Sequence, residues 1–305
     1  MSARSIEAIR SALGSGTLIP YLGPGTLTLA GGDCPLPISA EQLVGRLTAQ
    51  ASVPHKIRNN LSAAAQFIEN FKHRKTVAKA MSDAFAPEVP PTRLHKLLAA
   101  QAKLPLLVHA WYDDLPQRAL AMRPSWGLVQ GVSQSEHFGS WVHYFRPDGM
   151  RIGVGSPAAS ATEGMPPAAA PPECAQWETL LYQPLGSVRP AANFLVSDTD
   201  FVEVLTEIDI QTPIPEPVQD LRRGRHFLFL GCRFANQLDR LFARQIMKRS
   251  SDKHWAVLPE APTRNEARFL AEQHIERIDL PLADFAAALA QARAPTNGEW
   301  LAAQH

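Results

Sequence analysis

Two short apolar runs in this 305-residue chain end in glycine: Leu22-Gly23-Pro24-Gly25-Thr26 and Leu230-Gly231-Cys232. A glycine after a strand either makes a tight turn or opens the backbone to a phosphate, so both segments are candidate floor pieces of one nucleotide site. Cys232 reads either as a thiol near a helix N-terminus or as a small buried filler. The cluster Arg222-Arg-Gly-Arg225, with Lys248 and Arg249, is either a phosphate or nucleic-acid contact or a solvated face. Charge favours the solvated face. With 30 Lys+Arg against 29 Asp+Glu the net charge is +1, which argues against a protein whose main task is neutralising phosphates and leaves room only for a local basic patch. Cys34, Cys174 and Cys232 lie far apart with no Cys-x-x-Cys pair. That excludes a four-thiolate zinc site, gives the expectation of no zinc, and suits a reducing compartment better than a disulfide framework.

The elements that must position these residues alternate. Helical spacing over Ser5–Leu13 precedes a strand at Thr17–Leu22. A Ser39-x-x-Gln42 capping box opens a helix to about Ala51, and helices follow at Leu61–Phe71 and Thr76–Phe85. Thr92 caps the next helix, and Leu104–His109 reads as a buried strand. Asp113-Asp114 then caps a helix to about Met122. Trp126–Gly131 and Trp141–Phe145 look like strands joined to a turn at Phe145–Met150, and Ser156–Pro172 is an Ala/Pro loop or insert. Strands at Thr179–Tyr182 and Asn193–Val196 lead to a Ser197-capped helix ending near Ile208, and Pro213–Pro217 reads as a linker. The last third holds strands at Arg225–Leu230, His254–Leu258 and Ile275–Leu280. Between them run a helix to Lys248, a Thr263-x-x-Glu266 capping box with its helix, and a helix at Ala283–Ala292 before a polar tail. Short apolar strands alternating with amphipathic helices predict an α/β fold, a Rossmann-like parallel sheet with helices on both faces. We expect one domain over residues 1–305, with a small inserted β-rich region at 124–190.

The N-terminus carries charge within its first ten residues and lacks an apolar core of signal-peptide length. The longest apolar stretches fall far short of the roughly 20 residues that span a bilayer. The expectation is a cytoplasmic protein with no membrane and no nucleic-acid partner.

Four segments, in order, resemble the sirtuin-like family of NAD-binding proteins, in its broad bacterial branch. Leu18–Thr26 is similar to the family's first strand and Gly-Ala-Gly-(Val/Ile)-Ser loop, and Leu107–Leu115 to its Thr-Thr-Asn-Tyr-Asp-Asp-Leu segment. Leu181–Ser187 with Phe194–Phe201 resembles Tyr-Lys-Leu-His-Gly-Ser and the Thr-x-x-Asp-Tyr after it, and Phe227–Phe234 resembles Leu-Phe-Leu-Gly-Tyr-Ser-Leu. The resemblance implies NAD bound with its phosphates over Gly23, Pro24, Gly25 and Thr26. It also places Gly231 and Cys232 near the adenosine ribose, and Asp113 or Asp114 at the far end. Pro24 removes one amide donor from that loop.

The departures bear on chemistry. Active members use the Asn to place the nicotinamide ribose and water, and the His as a base on a ribose hydroxyl. Trp111 and Leu185 stand at those positions. Indole only donates and leucine takes no proton, so the resemblance implies impaired NAD cleavage. His109, two residues before Trp111 and on the same strand face, is the alternative base with Asp113 beside it; His143 lies on the strand Trp141–Phe145 and His137 on the loop before it. Against this, His109 also reads as a buried histidine bonded to backbone, Asp113-Asp114 as a helix cap, and Trp111 as a core or lid residue rather than a ring-stacking one. Trp126, Trp141 and Trp177 read either as core or as anchors of a docking module for a protein partner or a second copy. The expected function is a sirtuin-like module that binds NAD or ADP-ribose as a catalytically impaired sensor or scaffold. The alternative is an NAD hydrolase or deacylase with a relocated base.

Overall fold

The computed structural model describes residues 2–136, 140–153, 170–207 and 214–291. Chain order begins with α1 (Ser2–Ser15) and β1 (Leu18–Leu22), then a 3₁₀ turn over Pro24–Ala30. Four helices follow: α2 (Ala40–Gln50), α3 (Leu61–Lys72), α4 (Arg74–Phe85) and α5 (Arg93–Ala99). Next come β2 (Leu106–His109), α6 (Leu115–Leu120), β3 (Trp126–Gly131), β4 (Val142–Phe145) and β5 (Arg151–Ile152). The chain continues through β6 (Thr179–Gln183), β7 (Gly186–Ser187), β8 (Asn193–Phe194), α7 (Asp198–Glu207) and α8 (Glu216–Arg222). It ends with β9 (His226–Leu230), α9 (Gln237–Met247), β10 (His254–Val257), α10 (Arg264–Glu272), β11 (Ile275–Ile278) and α11 (Leu282–Ala290).

The expected α/β architecture is present. Among the described residues nine strands form one sheet in the order β11-β10-β9-β1-β2-β6-β3-β4-β5; β11 through β3 are parallel, and β4 and β5 extend the edge antiparallel. Strand alternation divides the core between the two faces. Ile19, Tyr21, Val108, Phe227 and Phe229 pack toward α7, α8 and α9, whereas Leu18, Leu22, Leu107, Leu228 and Leu230 pack toward α1, α5 and α11. A third apolar cluster, built on α2, α3 and α4, covers the carboxyl end of β2 and includes Trp111, Tyr112 and Phe194. Within the 124–190 segment, β3 and β6 are members of the parallel sheet, β4 and β5 extend it, and β7 pairs with β8.

Several boundaries differ from the sequence expectation. Strand β2 starts at Leu106, two residues late, because Pro105 has no N–H to give the ladder. Ser39 accepts from the Gln42 amide, but the Gln42 side chain returns to Ile38 N rather than to Ser39, so the reciprocal half of the box is displaced by one residue. At Thr263 both halves form. Asp114 caps nothing at α6; Asp113 does, accepting from the Leu115 amide. The Pro-rich stretch read as a linker enters α8 at Glu216, since a proline in the first helical turn sacrifices no intrahelical bond. His137, Pro213, the 156–169 part of the Ala/Pro loop and the polar tail lie outside the described residues. Trp126 is a core residue, and Trp141 and Trp177 pack on the core from its margin. No helix among the described residues is long and apolar enough to cross a membrane.

Candidate functional site

The parallel strands end along one edge, and the connection order reverses at β1, which has β2 on one side and β9 on the other. Open α/β sheets hold ligands at such a point. Both glycine segments lie there, and they meet. The Gly23 amide donates to Leu230 O (2.9 Å) and the Gly25 amide to Gly231 O (2.9 Å). The Thr26 amide and hydroxyl both donate to Gly23 O, at 3.2 and 2.8 Å. Pro24 has no N–H, so every donor from Gly23 to Thr26 is absent or directed into the protein. The glycines have a packing reason. A Cβ on Gly23 would sit 2.6 Å from Gly231 O, and one on Gly231, whose φ is +66°, would sit 2.3 Å from the Thr26 nitrogen. Two backbones cross here at a distance no side chain permits.

On the β9 side the amides of Cys232, Arg233, Phe234 and Ala235 have no hydrogen-bond partner among the described residues. They lead into α9, whose N-terminus Asn236 caps through the Asp239 amide. The Cys232 thiol is buried and donates to the Tyr21 and Leu230 carbonyls at 3.6 Å. Burial pushes it well above the ordinary thiol range, which removes the thiolate a nucleophile needs.

His109 and Asp113 come together, but inside the protein. They are 0 % and 1 % exposed, and His109 Nε2 lies 3.1 Å from Asp113 Oδ2. Gln183 Oε1 accepts from Gln117 Nε2 (2.8 Å), which turns the Gln183 amide nitrogen toward His109 Nδ1 at 3.4 Å. Nδ1 therefore accepts and Nε2 carries the proton toward Asp113. Both ring positions of His109 are committed within the protein. Burial would raise the Asp113 carboxyl, but the His109 ring bonded to it, the nearby His95 and the Leu115 amide hold it below the usual carboxylate range.

Sequence reasoning missed the rest of this network. Val108 pairs with Tyr182 across β2 and β6, so the next step of the register sets His109 beside Gln183. A lone glutamine ending the apolar run Thr179-Leu-Leu-Tyr-Gln183 was the available signal. His95, buried in α5, shares its Nδ1 with Thr92 Oγ1 (2.7 Å), while its Nε2 has no partner. Burial, opposed by Asp113 and reinforced by His109, lowers it to about 4, so it is neutral at neutral pH.

Trp111 and Leu185, the two positions where the resemblance has Asn and His, also converge, as apolar packing. Trp111 is 4 % exposed, donates its indole N–H to Pro37 O (2.9 Å) and contacts Phe85 edge-on at 5.9 Å. Leu185 packs on the same cluster. Asp114 binds Arg189 (2.6 Å), and Tyr112 donates to Leu195 O (2.8 Å), pinning the 111–115 segment to the 185–195 segment. His143 is buried on β4, two strands beyond β6 in the sheet order. Among the described residues no three His, Cys, Asp or Glu side chains gather as metal ligands.

A family model described as a SIR2-like domain matches residues 105–278, from the start of β2 to the end of β11. It spans three of the four segments singled out in the sequence; Leu18–Thr26 lies outside it. No curated protein matches the chain. The match covers more than half of the chain, which belongs to the SIR2-like domain family, whose members generally bind NAD.

Proposed function

We propose that this SIR2-like chain, whose family gives it an NAD-related role, has lost NAD cleavage and works as a sensor or scaffold through a protein partner. The observation that carries the reading is His109. A base for a ribose hydroxyl needs a lone pair that reaches substrate, and the Nδ1 lone pair of His109 faces Gln183 behind a fully buried wall. Trp111 and Leu185 add an apolar cluster where the family places a water-ordering amide and an imidazole.

The ligand we assign is NAD or ADP-ribose, at the crevice where β1 and β9 diverge. The Gly23–Thr26 amides do not fit a pyrophosphate, because all of them are spent. The unpaired amides of Cys232 to Ala235, at the positive end of α9, fit one. When bound, the dinucleotide would supply a glycosidic bond with nicotinamide as its leaving group. This chain's residues bind and orient it, and none of those placed here takes a proton from it.

Calorimetric titration of NAD and ADP-ribose, with nicotinamide release followed in the same samples, tests this. We expect saturable binding and release slower than about 0.1 s⁻¹, a hundredfold below a median enzyme. Release near 1 s⁻¹ would overturn the loss of cleavage, and absence of binding by both ligands would overturn the sensor.

A further inference from the structure

At the opposite edge of the sheet, where the parallel strands begin, the end of α9 and the turn between α10 and β11 enclose an open polar pocket of about 560 Å³. That volume lies within the range of small-molecule sites. Its wall carries Arg244, Lys248 and Arg249 against Asp252 and Glu272, and Glu272 is already paired with Arg268 at 2.6 Å. Among the described residues Arg244 and Arg249 have no ion-pair partner.

The charged cluster noted in the sequence divides accordingly. Arg222 is buried and donates to the Gln245 and Ile246 carbonyls (2.7 and 2.9 Å), Arg225 donates to Gly16 O and Leu221 O, and Arg223 pairs with Asp220. Arg222 thereby covers carbonyls at the negative end of α9, which would otherwise repel an anion from this wall.

Two backbone positions on the wall run against local preference. Arg249 and His274 each stand one residue beyond a helix C-cap, with φ of +66° and +52°. Glycine or asparagine is usual there, because a Cβ is strained in the left-handed region. Both helices instead end in a nitrogen-bearing side chain, and both side chains line the same pocket. The floor adds a donor. His254 Nδ1 accepts from the Phe227 amide (2.9 Å), so its Nε2 carries the proton and donates to Ser250 Oγ (3.3 Å), leaving the Ser250 hydroxyl hydrogen to point elsewhere.

From the unpaired arginines, the covered helix end and the two strained cap residues, we infer that this pocket binds a small diphosphate-bearing molecule at a site remote from the β1/β9 crevice. Guanidinium groups match phosphate oxygens in planar, two-point geometry, and the pocket has room for more than one phosphate. The site is independent of the dinucleotide reading.

The test is calorimetric titration of the full chain with inorganic pyrophosphate and, separately, ADP, at about 50 mM salt. We expect one-to-one binding that weakens at least tenfold in both Arg244→Gln and Arg249→Gly. The Arg249→Gly chain should keep or raise its thermal midpoint, because glycine relieves the left-handed strain. That separation of binding from stability is what a purely structural arginine would not give. Matching losses for ADP place the diphosphate on a nucleotide; binding of pyrophosphate alone identifies a compact anion. Absence of saturable binding by wild type, or binding that survives both substitutions within twofold, overturns the proposal.

Discussion

Replacing His109 by alanine separates a buried structural imidazole from a catalytic one. The side chain is fully enclosed and satisfies two partners, Asp113 Oδ2 at 3.1 Å and the Gln183 amide at 3.4 Å. Truncation leaves a carboxylate that is 1 % exposed without its ring partner. Breaking a buried pair in this way costs about 3–5 kcal/mol, and the stranded Gln183 donor adds about 1–3 kcal/mol, not fully additively. Taking about 4–5 kcal/mol in all, and about 2–4 °C per kcal/mol for a chain of this size, the thermal midpoint should fall by about 10 °C or more. His109→Gln can still offer an amide N–H to Asp113 and a carbonyl to Gln183, so it should lose less than half as much. Both midpoints can be read by circular dichroism, with nicotinamide release measured on the same preparations at a temperature where each is folded. We expect stability to fall in the order wild type, Gln, Ala, and release to stay at background in all three. A midpoint for the alanine variant within about 2 °C of wild type would refute the buried-network account. Measurable wild-type release abolished by His109→Gln would refute the assignment of His109 to structure.

Two further outcomes follow from the same edge of the sheet. His95 is held near pKa 4 by burial whereas an unfolded chain titrates near 6.5, so the unfolded state takes up protons first and stability falls as pH drops through that window. The His95 share of that loss should reach about 3 kcal/mol by pH 4, so His95→Gln should lose that much less than wild type in denaturant titrations at several pH values; a parallel pH profile for the two chains would sink it. Gly231→Ala should destabilise the chain by about 3 kcal/mol or more, because its Cβ meets the Thr26 nitrogen at 2.3 Å and its φ is +66°. A soluble Gly231→Ala chain with an unchanged midpoint would show that the two glycine loops do not pack as described.

The alternation of apolar strands and amphipathic helices was legible because both faces of a parallel sheet are buried, so each strand reads as an unbroken run such as Phe227-Leu-Phe-Leu230. Caps were legible where a hydroxyl precedes a helix by one residue, as at Thr92 and Thr263. Helix α8 was not, because Pro215 and Pro217 look like linker chemistry although they flank and occupy its first turn. The candidate residues were legible individually but not in their relations. No pattern in Gly23–Thr26 announces that the Gly23 and Gly25 amides are consumed by a segment more than 200 residues later. Nor does His109 announce Gln183, which only the β2–β6 register brings beside it.

The changes at the strand ends belong to one physical adjustment. A family site that orders water and a sugar must keep polar groups unsatisfied until a ligand arrives, and buried unsatisfied groups cost stability. In this chain Trp111 spends its indole N–H on Pro37 O, Leu185 has nothing to satisfy, the Gly25 amide takes Gly231 O, and His109 closes on Asp113 and Gln183. These four groups are replaced or paired, and the third apolar cluster runs continuously over the end of β2. The unsatisfied donors that remain, the amides from Cys232 to Ala235, favour an anion without offering a base. On the function proposed above, a site organised in this way would recognise a phosphate without cutting the bond beside it.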